Sequence, residues 1–386
     1  MGGGIEDNEH DIPLAFKYDI SEVGDYIRSE LGCCNIGVHF TLGALEAEAL
    51  GKKLSYSRHC GHYTGRRGIS YREAVGAGDY LGGLEDLFEH IVPAPGVRGW
   101  QSTVAAKPPL VDRFGHLLRG DSPRLKLLRP APGVVLRDEA NRVLALPNTR
   151  AVSRCIKRMA ALNEAHAATD VRTAGGVPIA APMCRMFKRS MAMGGRFFCQ
   201  GASYQNVPKA DRKQSTIDGE PIAEADFKNM HVRIIYYQLG ADPPADCYDV
   251  GSWPRPLVKR ALLILINAEN WHKAHGAIAK CEEMAQLELS VAGAQENAAR
   301  LIEDIKRAHQ PIASAFHSGA GLRCQHVESE MAEAVMRSCL DQGVMALSMH
   351  DGFIVKNRHA PILIDVMAEI ASQNGLGREI VELERD

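Results

Sequence analysis

The sequence predicts an α+β protein in two parts, and three observations lead there. The chain has 386 residues, where one domain takes about 100–200. Helical apolar patterns and short strand-like runs bounded by turn residues both recur along it. Between them lies a stretch, 106–150, rich in proline and arginine (Pro108, Pro109, Pro123, Pro130, Pro132, Pro147). The expected division is a module over 1–118, a linker over 119–150 with a short hairpin around Val134–Ala145, and a second domain over 151–386.

Composition narrows the class. Hydrophobic residues make up 45% and charged residues 24%, the proportions of a globular core and not of a disordered tail. The longest apolar run, Ala261–Ile266, falls far short of the about 18 residues a membrane helix needs. Met1-Gly2-Gly3-Gly4 and the acidic stretch after it have neither the basic nor the apolar region of a signal peptide. Ten cysteines without a Cys-x-x-Cys spacing are expected as reduced thiols in a cytoplasm. The adjacent pairs Cys33-Cys34 and His59-Cys60 suit a tetrahedral zinc cage poorly. A formal net charge of −2 excludes an all-over basic coat but leaves room for local basic surfaces.

In the first module, residues 33–54 read as an apolar helix, followed by a basic, glycine-rich loop from Ser57 to Gly68. Ser70-Tyr71-Arg72-Glu73 spells a capping box, so a helix is expected over 70–85, with Tyr71, Val75, Leu81 and Leu84 on its apolar face. Ile91-Val92 and Trp100–Val104 flank the turn-forming Pro93–Gly99, a hairpin with Arg98 at its tip. Helix, helix, hairpin is winged-helix organisation. In that reading helix 70–85 enters a major groove, Arg58, Arg66, Arg67 and Arg72 contact phosphates, and Arg98 reaches the adjacent backbone or minor groove. The bland alternative is a module that only packs on its neighbour, with solvated arginines.

The second domain opens with a helix over Thr149–Ala168, then a β-rich stretch from Gly195 to Asp226. Helices follow around His231–Leu239, Pro256–His275, Met284–Phe316, Gln325–Gln342 and Pro361–Asn374. Strands Val344–Met349 and Gly352–Val355 flank His350-Asp351. Two aspartates stand out. Asp226 closes the strand-like run Pro221–Ala225 and opens a helix; Asp351 sits at a hairpin tip. Singly, each is as readily a helix cap or a turn residue. On adjacent strands of one sheet they would form a carboxylate pair able to hold two Mg²⁺ ions about 3.5–4 Å apart.

Four segments in order give these aspartates a context. Gly195-Arg196-Phe197 with Gln205-Asn206-Val207-Pro208, Asp226–Arg233, Arg255-Pro256-Leu257-Val258-Lys259, and His350-Asp351 resemble the polymerase domain of family A DNA polymerases and the related single-subunit phage-type RNA polymerases. The resemblance covers roughly residues 180–360 and implies a compact right-hand domain of palm and fingers. It further implies that Asp226 and Asp351 are catalytic and bind two Mg²⁺ ions (Mn²⁺ substituting), with the Phe227 carbonyl a third ligand. Arg255 and Lys259 would hold the triphosphate, and His231 would sit beside the nucleotide. Arg196, Gln205, Asn206, Arg212 and His350 would lie along the primer–template.

Departures from the pattern bear on substrate choice. His231 stands where the DNA polymerases have Glu and the RNA polymerases a small residue, so sugar preference stays open. Leu263 and Asn267-Ala268 replace the finger helix's aromatic and its Tyr-Gly pair. The chain leaves no room for a proofreading exonuclease. The expected protein is thus a small, monomeric, DNA-binding DNA polymerase working in DNA replication, as in a phage or mobile element, with primer–template and nucleoside triphosphates as partners and no membrane. An RNA polymerase or primase, and a non-catalytic replication initiator or regulator, are the alternatives.

Overall fold

The computed structural model describes residues 11–16, 18–63, 69–94, 101–118, 126–127, 133–199 and 201–384. The first part runs β1 (Asp11–Pro13), β2 (Tyr18–Asp19), α1 (Gly24–Leu31), α2 (Asn35–Ala49), β3 (Lys53–Tyr56), α3 (Tyr71–Gly82), β4 (Phe88–Ile91), β5 (Ser102–Ala106), α4 (Pro108–Phe114) and β6 (Lys126–Leu127). The capping box forms: Ser70 Oγ accepts from the Glu73 N–H, and the Glu73 carboxylate accepts from the Ser70 N–H. The buried face of α3 is Ala74, Ala77, Gly78 and Leu81, a different stripe from the expected one. The reason is steric. The Tyr56 hydroxyl comes so near Gly78 that a Cβ there would lie 2.5 Å from it, so only the small-residue face can close on the sheet.

β3, β5 and β4 pair antiparallel, and β1 adds alongside β3 in parallel, giving the order β1-β3-β5-β4. The two hairpin strands are shifted from their expected positions. Phe88 and Val104 fill the core, while Ile91 and Val92 are about half exposed, so burial sets the register at Phe88↔Ala106. The fourth, parallel strand and the 3₁₀ turn at Cys60–His62 after β3 were not expected. Arg66, Arg67 and Arg98 lie outside the described residues.

The second part runs β7 (Val134–Arg137), β8 (Val143–Leu144), α5 (Arg150–Ala167), β9 (Val171–Arg172), β10 (Met183–Lys188), β11 (Ser190–Cys199), α6 (Lys209–Arg212), β12 (Thr216–Ile217) and β13 (Glu220–Phe227). It continues α7 (Met230–Gln238), α8 (Arg255–Asn267), α9 (Trp271–Ile278), α10 (Glu282–Ala285), α11 (Val291–Ala308), α12 (Gly321–Leu340), β14 (Leu347–Met349), β15 (Gly352–Lys356), α13 (Ala360–Gln373) and β16 (Val381–Leu383). Two sheets organise it. One has the order β11-β10-β7-β8; the other has β14-β15-β13-β12-β9, with β16 also on β13. The hairpin expected within the linker is β7–β8, and it belongs to the second part, because β7 pairs in parallel with β10.

Helix α12 lies against β11 and buries Glu328, Ser329 and Glu333 beside its apolar residues. Two expected long helices are broken. The first stops at Asn267, and Asn270 caps α9, its side chain accepting from the Lys273 N–H. Ser290 likewise caps α11, so side-chain oxygens supply the N–H partners at each new start.

Candidate active site

Asp226 and Asp351 meet because β13 and β15 are antiparallel neighbours. Asp226 lies opposite Gly352, and the Phe227 N–H donates to the Asp351 carbonyl at 3.1 Å. Two left-handed residues shape the ends: Asn229, φ 56°, turns the chain from β13 into α7, and His350, φ 67°, makes the hairpin turn. Asp226 is half-buried, and Asp351 stands in the turn between β14 and β15. The surrounding protein raises both carboxyls. Asp226 is pushed up to about 6 by burial, then by repulsion from Asp351, Glu384 and Glu382. Asp351 is raised by burial and by Glu328.

The last strand supplies part of that field, and the sequence reading missed it. β16 pairs with β13 so that Glu382 lies opposite Asp226, and cross-strand partners share a face. The alternation Val381-Glu382-Leu383-Glu384 is the period-2 signal that could have found it.

Behind the carboxylates sits a buried charge cluster. Glu328, 1% exposed, takes two hydrogen bonds from Arg196, Nε to Oε1 and Nη2 to Oε2, each 2.6 Å. His231 Nε2 reaches the same Oε2 at 2.6 Å. Burial pushes the Glu328 carboxyl up, but the bonds from His231 and Arg196 outweigh it and hold it at about 2. Arg196 and His231 therefore face Asp351 already held by a carboxylate. Glu328 lies in the body of α12, away from either end of the helix. His350 packs its ring edgewise on Phe198 at 5.3 Å. Burial, with Arg196 nearby, lowers its imidazole to about 4, and its Nδ1 is buried without a hydrogen-bond partner.

Three residues expected along a primer–template make internal bonds. Arg212 is buried, forks onto Glu224 at 2.9 and 3.1 Å, and donates to the Val207 carbonyl. The Gln205 amide is engaged by backbone groups on two strands. Asn206 Oδ1 accepts from Ser203 Oγ. Arg212 ends the short helix α6 and is turned inward onto Glu224.

On α8, Arg255, Lys259, Leu263 and Asn267 are the exposed stripe, four apart and so on one face. Arg255 pairs with Asp246 and lies 5.0 Å over the Tyr248 ring. Burial pushes the Tyr248 hydroxyl up to about 12, with Asp351 among the negative groups that add to it. Tyr248 thus stands between the start of α8 and the carboxylate pair, a residue the motifs did not mark.

In the first part, Arg58 forks onto Asp79 at 2.5 and 2.9 Å and touches the Tyr56 hydroxyl. Arg72 is exposed on α3.

Among the described residues no group of three or more His, Cys, Asp or Glu side chains is set to ligate a metal. The donors at the strand ends still suit Mg²⁺, which binds through one or two carboxylates and completes its shell with water and phosphate oxygens. Among the described residues, no helix is long and apolar enough to cross a membrane.

No protein-family model and no curated protein matches the chain. Among solved structures it is similar to the POL domain of Pol1 from M. smegmatis in complex with DNA primer-template and dNTP. The likeness has 13% identity and a TM-score of 0.37, over 70% of this chain and 59% of that one. The chain thus spans less than two thirds of the length of that relative, and a likeness this distant carries no argument about activity.

Proposed function

We propose that the chain is a template-directed, Mg²⁺-dependent nucleotidyltransferase, in its most specific form a DNA polymerase. One observation carries the reading: two carboxylates, Asp226 and Asp351, project from the ends of adjacent strands in a field of further negative charge. Such a pair gains from a divalent cation, which relieves the repulsion that raises it. Asp226 and Asp351, with the Phe227 carbonyl, would hold the metal. When bound, it would stabilise negative charge on the attacking and leaving oxygens.

The chain's own groups take the remaining roles. Arg255 and Lys259, on the exposed face of α8, attract the triphosphate, the first as a planar fork and the second as a point charge. Arg196 and His231, fixed by Glu328, set the positive wall facing Asp351. His350 supports the primer end. The N-terminal part, with its helix α3 ahead of the β4–β5 pair, acts as a winged-helix-like module that grips nucleic acid through phosphates.

Primer extension on a labelled primer–template tests this, with Mg²⁺ and with dNTPs and rNTPs supplied separately. Template-dependent extension is expected, falling about a thousandfold or more in Asp226→Asn and Asp351→Asn, and the preferred nucleotide names the polymerase. A wild-type chain that binds nucleic acid but extends nothing, primed or unprimed, would make it a non-catalytic binding protein.

A further inference from the structure

Gln205 occupies a position that its place in the sequence motif does not explain. β11 is the edge strand of one sheet and β14 the edge strand of the other. An edge strand presents backbone N–H and C=O groups with no neighbour. The Gln205 side chain fills that gap on both sheets. Its Oε1 accepts from the Cys199 N–H at 2.8 Å, and its Nε2 donates to the Phe197 carbonyl at 3.2 Å. A carbonyl and an N–H two residues apart on one edge are the pair that an adjoining strand would bond. The amide therefore stands in for one residue of a missing strand. The same Nε2 also donates to the Ser348 carbonyl on β14 at 2.8 Å.

Only one orientation of the amide serves this arrangement. Turned over, its oxygen would face two carbonyl oxygens and its NH₂ an N–H. The residues tied together are those next to the charged groups of the site. Phe197 follows Arg196, and Ser348 lies three residues before Asp351. The loop that carries Gln205 is itself anchored. Tyr204 and Val207 are buried under β14 and β15, Ala202 is buried in the N-terminal core, and Lys52 Nζ donates to the Asn206 carbonyl.

We propose that Gln205 is a positioning residue: its amide joins the edges of the two sheets and so sets Arg196 and its partners against the hairpin that presents Asp351. It acts through backbone and touches neither substrate nor metal. The proposal deepens the polymerase reading and rests on it for the activity arm of its test, while a second arm does not.

The test compares the full-length chain with Gln205→Ala and Gln205→Glu. Glutamate matches glutamine in size and can still accept from the Cys199 N–H, but it has no N–H for Phe197 or Ser348. In the metal-free protein, amide hydrogen exchange over residues 347–356 is expected to quicken in both variants, whereas Cys199 stays protected in Gln205→Glu. In primer extension, the Mg²⁺ concentration for half-maximal rate is expected to rise about 10–100-fold in both, with the primer–template Kd unchanged. Exchange over 347–356 that matches wild type in both variants would overturn the tie. A raised primer–template Kd with unaltered Mg²⁺ dependence would overturn it too, making Gln205 a nucleic-acid contact. If the wild-type chain extends nothing, the polymerase reading falls, and the exchange measurement still decides whether Gln205 joins the sheets.

Discussion

Arg58 in the N-terminal part and Arg185 in the C-terminal part are both arginines forked onto carboxylates, and their surroundings differ in every other respect. The Arg58–Asp79 pair is open to water, with side chains 30% and 48% exposed. Arg185 and its partner Glu333 are 2% and 5% exposed. Arg185 also bonds Glu330, Ser329 Oγ and the Gly195 carbonyl, and it lies against the Phe187 and Phe197 rings at 5.0 and 5.2 Å. The first arrangement is two neutralised charges that a partner can pull apart. The second fastens α12 to β10 and β11, and α12 carries Glu328 to Arg196 and His231. Arg58 is thus open to exchange its partner, while Arg185 holds the framework of the site.

The largest effect expected from this contrast is on stability. Arg185→Met takes from buried Glu333 one of its two arginine partners and leaves only the more exposed Arg158, and breaking a buried pair from one side costs up to about 3–5 kcal/mol. Arg58→Met breaks an exposed pair, worth about 0–1 kcal/mol. Urea unfolding of the two variants measures both. Adding Glu333→Leu to Arg185→Met should recover part of the loss, since it removes the under-paired buried carboxylate and releases only Arg158, which is 42% exposed. Equal costs for the two arginines would erase the distinction between the regions.

Acid separates the regions more gently. Burial lowers the imidazoles of His39, in the N-terminal part, and His166, in the C-terminal part, to about 4. Each folded value lies below the unfolded one near 6.5. The unfolded chain therefore takes up protons first, so the contribution is complete above pH 6.5 and lost as pH falls towards 4. For His166, 1% exposed with its Nε2 unpartnered, the loss at pH 5 is about 2 kcal/mol. His166→Phe should flatten the fall in unfolding free energy between pH 7 and 5, and His39→Phe should flatten it less, because His39 is only half-buried. An unchanged pH slope in His166→Phe would mean that this histidine protonates freely in the folded chain.

The parts of the molecule legible in the sequence are those governed by local chemistry. The capping box at Ser70, the helix starting at Thr149, and the strand–turn–strand around His350-Asp351 follow from neighbours within a few residues, and each forms near its expected place. The pairing of Asp226 with Asp351 was anticipated from two strand ends. Partners distant in sequence were not legible. Nothing near Glu328 announces that Arg196 and His231 will converge on it from β11 and α7. Nothing near Gln205 announces that its amide bonds strand edges at Phe197 and Ser348. Arg212 shows the converse: a basic residue whose motif-like position points to the primer–template is turned inward by Glu224. Charge pattern locates the groups, but only tertiary pairing decides which of them remain free.

That distinction gives the smallest and sharpest prediction, on the N-terminal part itself. If α3 faces nucleic acid, Asp79 weakens binding by neutralising Arg58, and Arg72 contributes its charge unopposed. Asp79→Asn should then tighten nucleic-acid binding by the full chain a few-fold and steepen the dependence of log K on log[salt] by up to about 1, the increment for one more neutralised phosphate. Arg72→Gln should shift both quantities the other way. Fluorescence anisotropy with a labelled duplex across a salt series reads both variants. Opposite shifts would make Asp79 a restraint on the grip of this module. Identical curves for both variants and wild type would instead make the α3 surface a solvated face, and nucleic-acid binding would then belong to the C-terminal part alone.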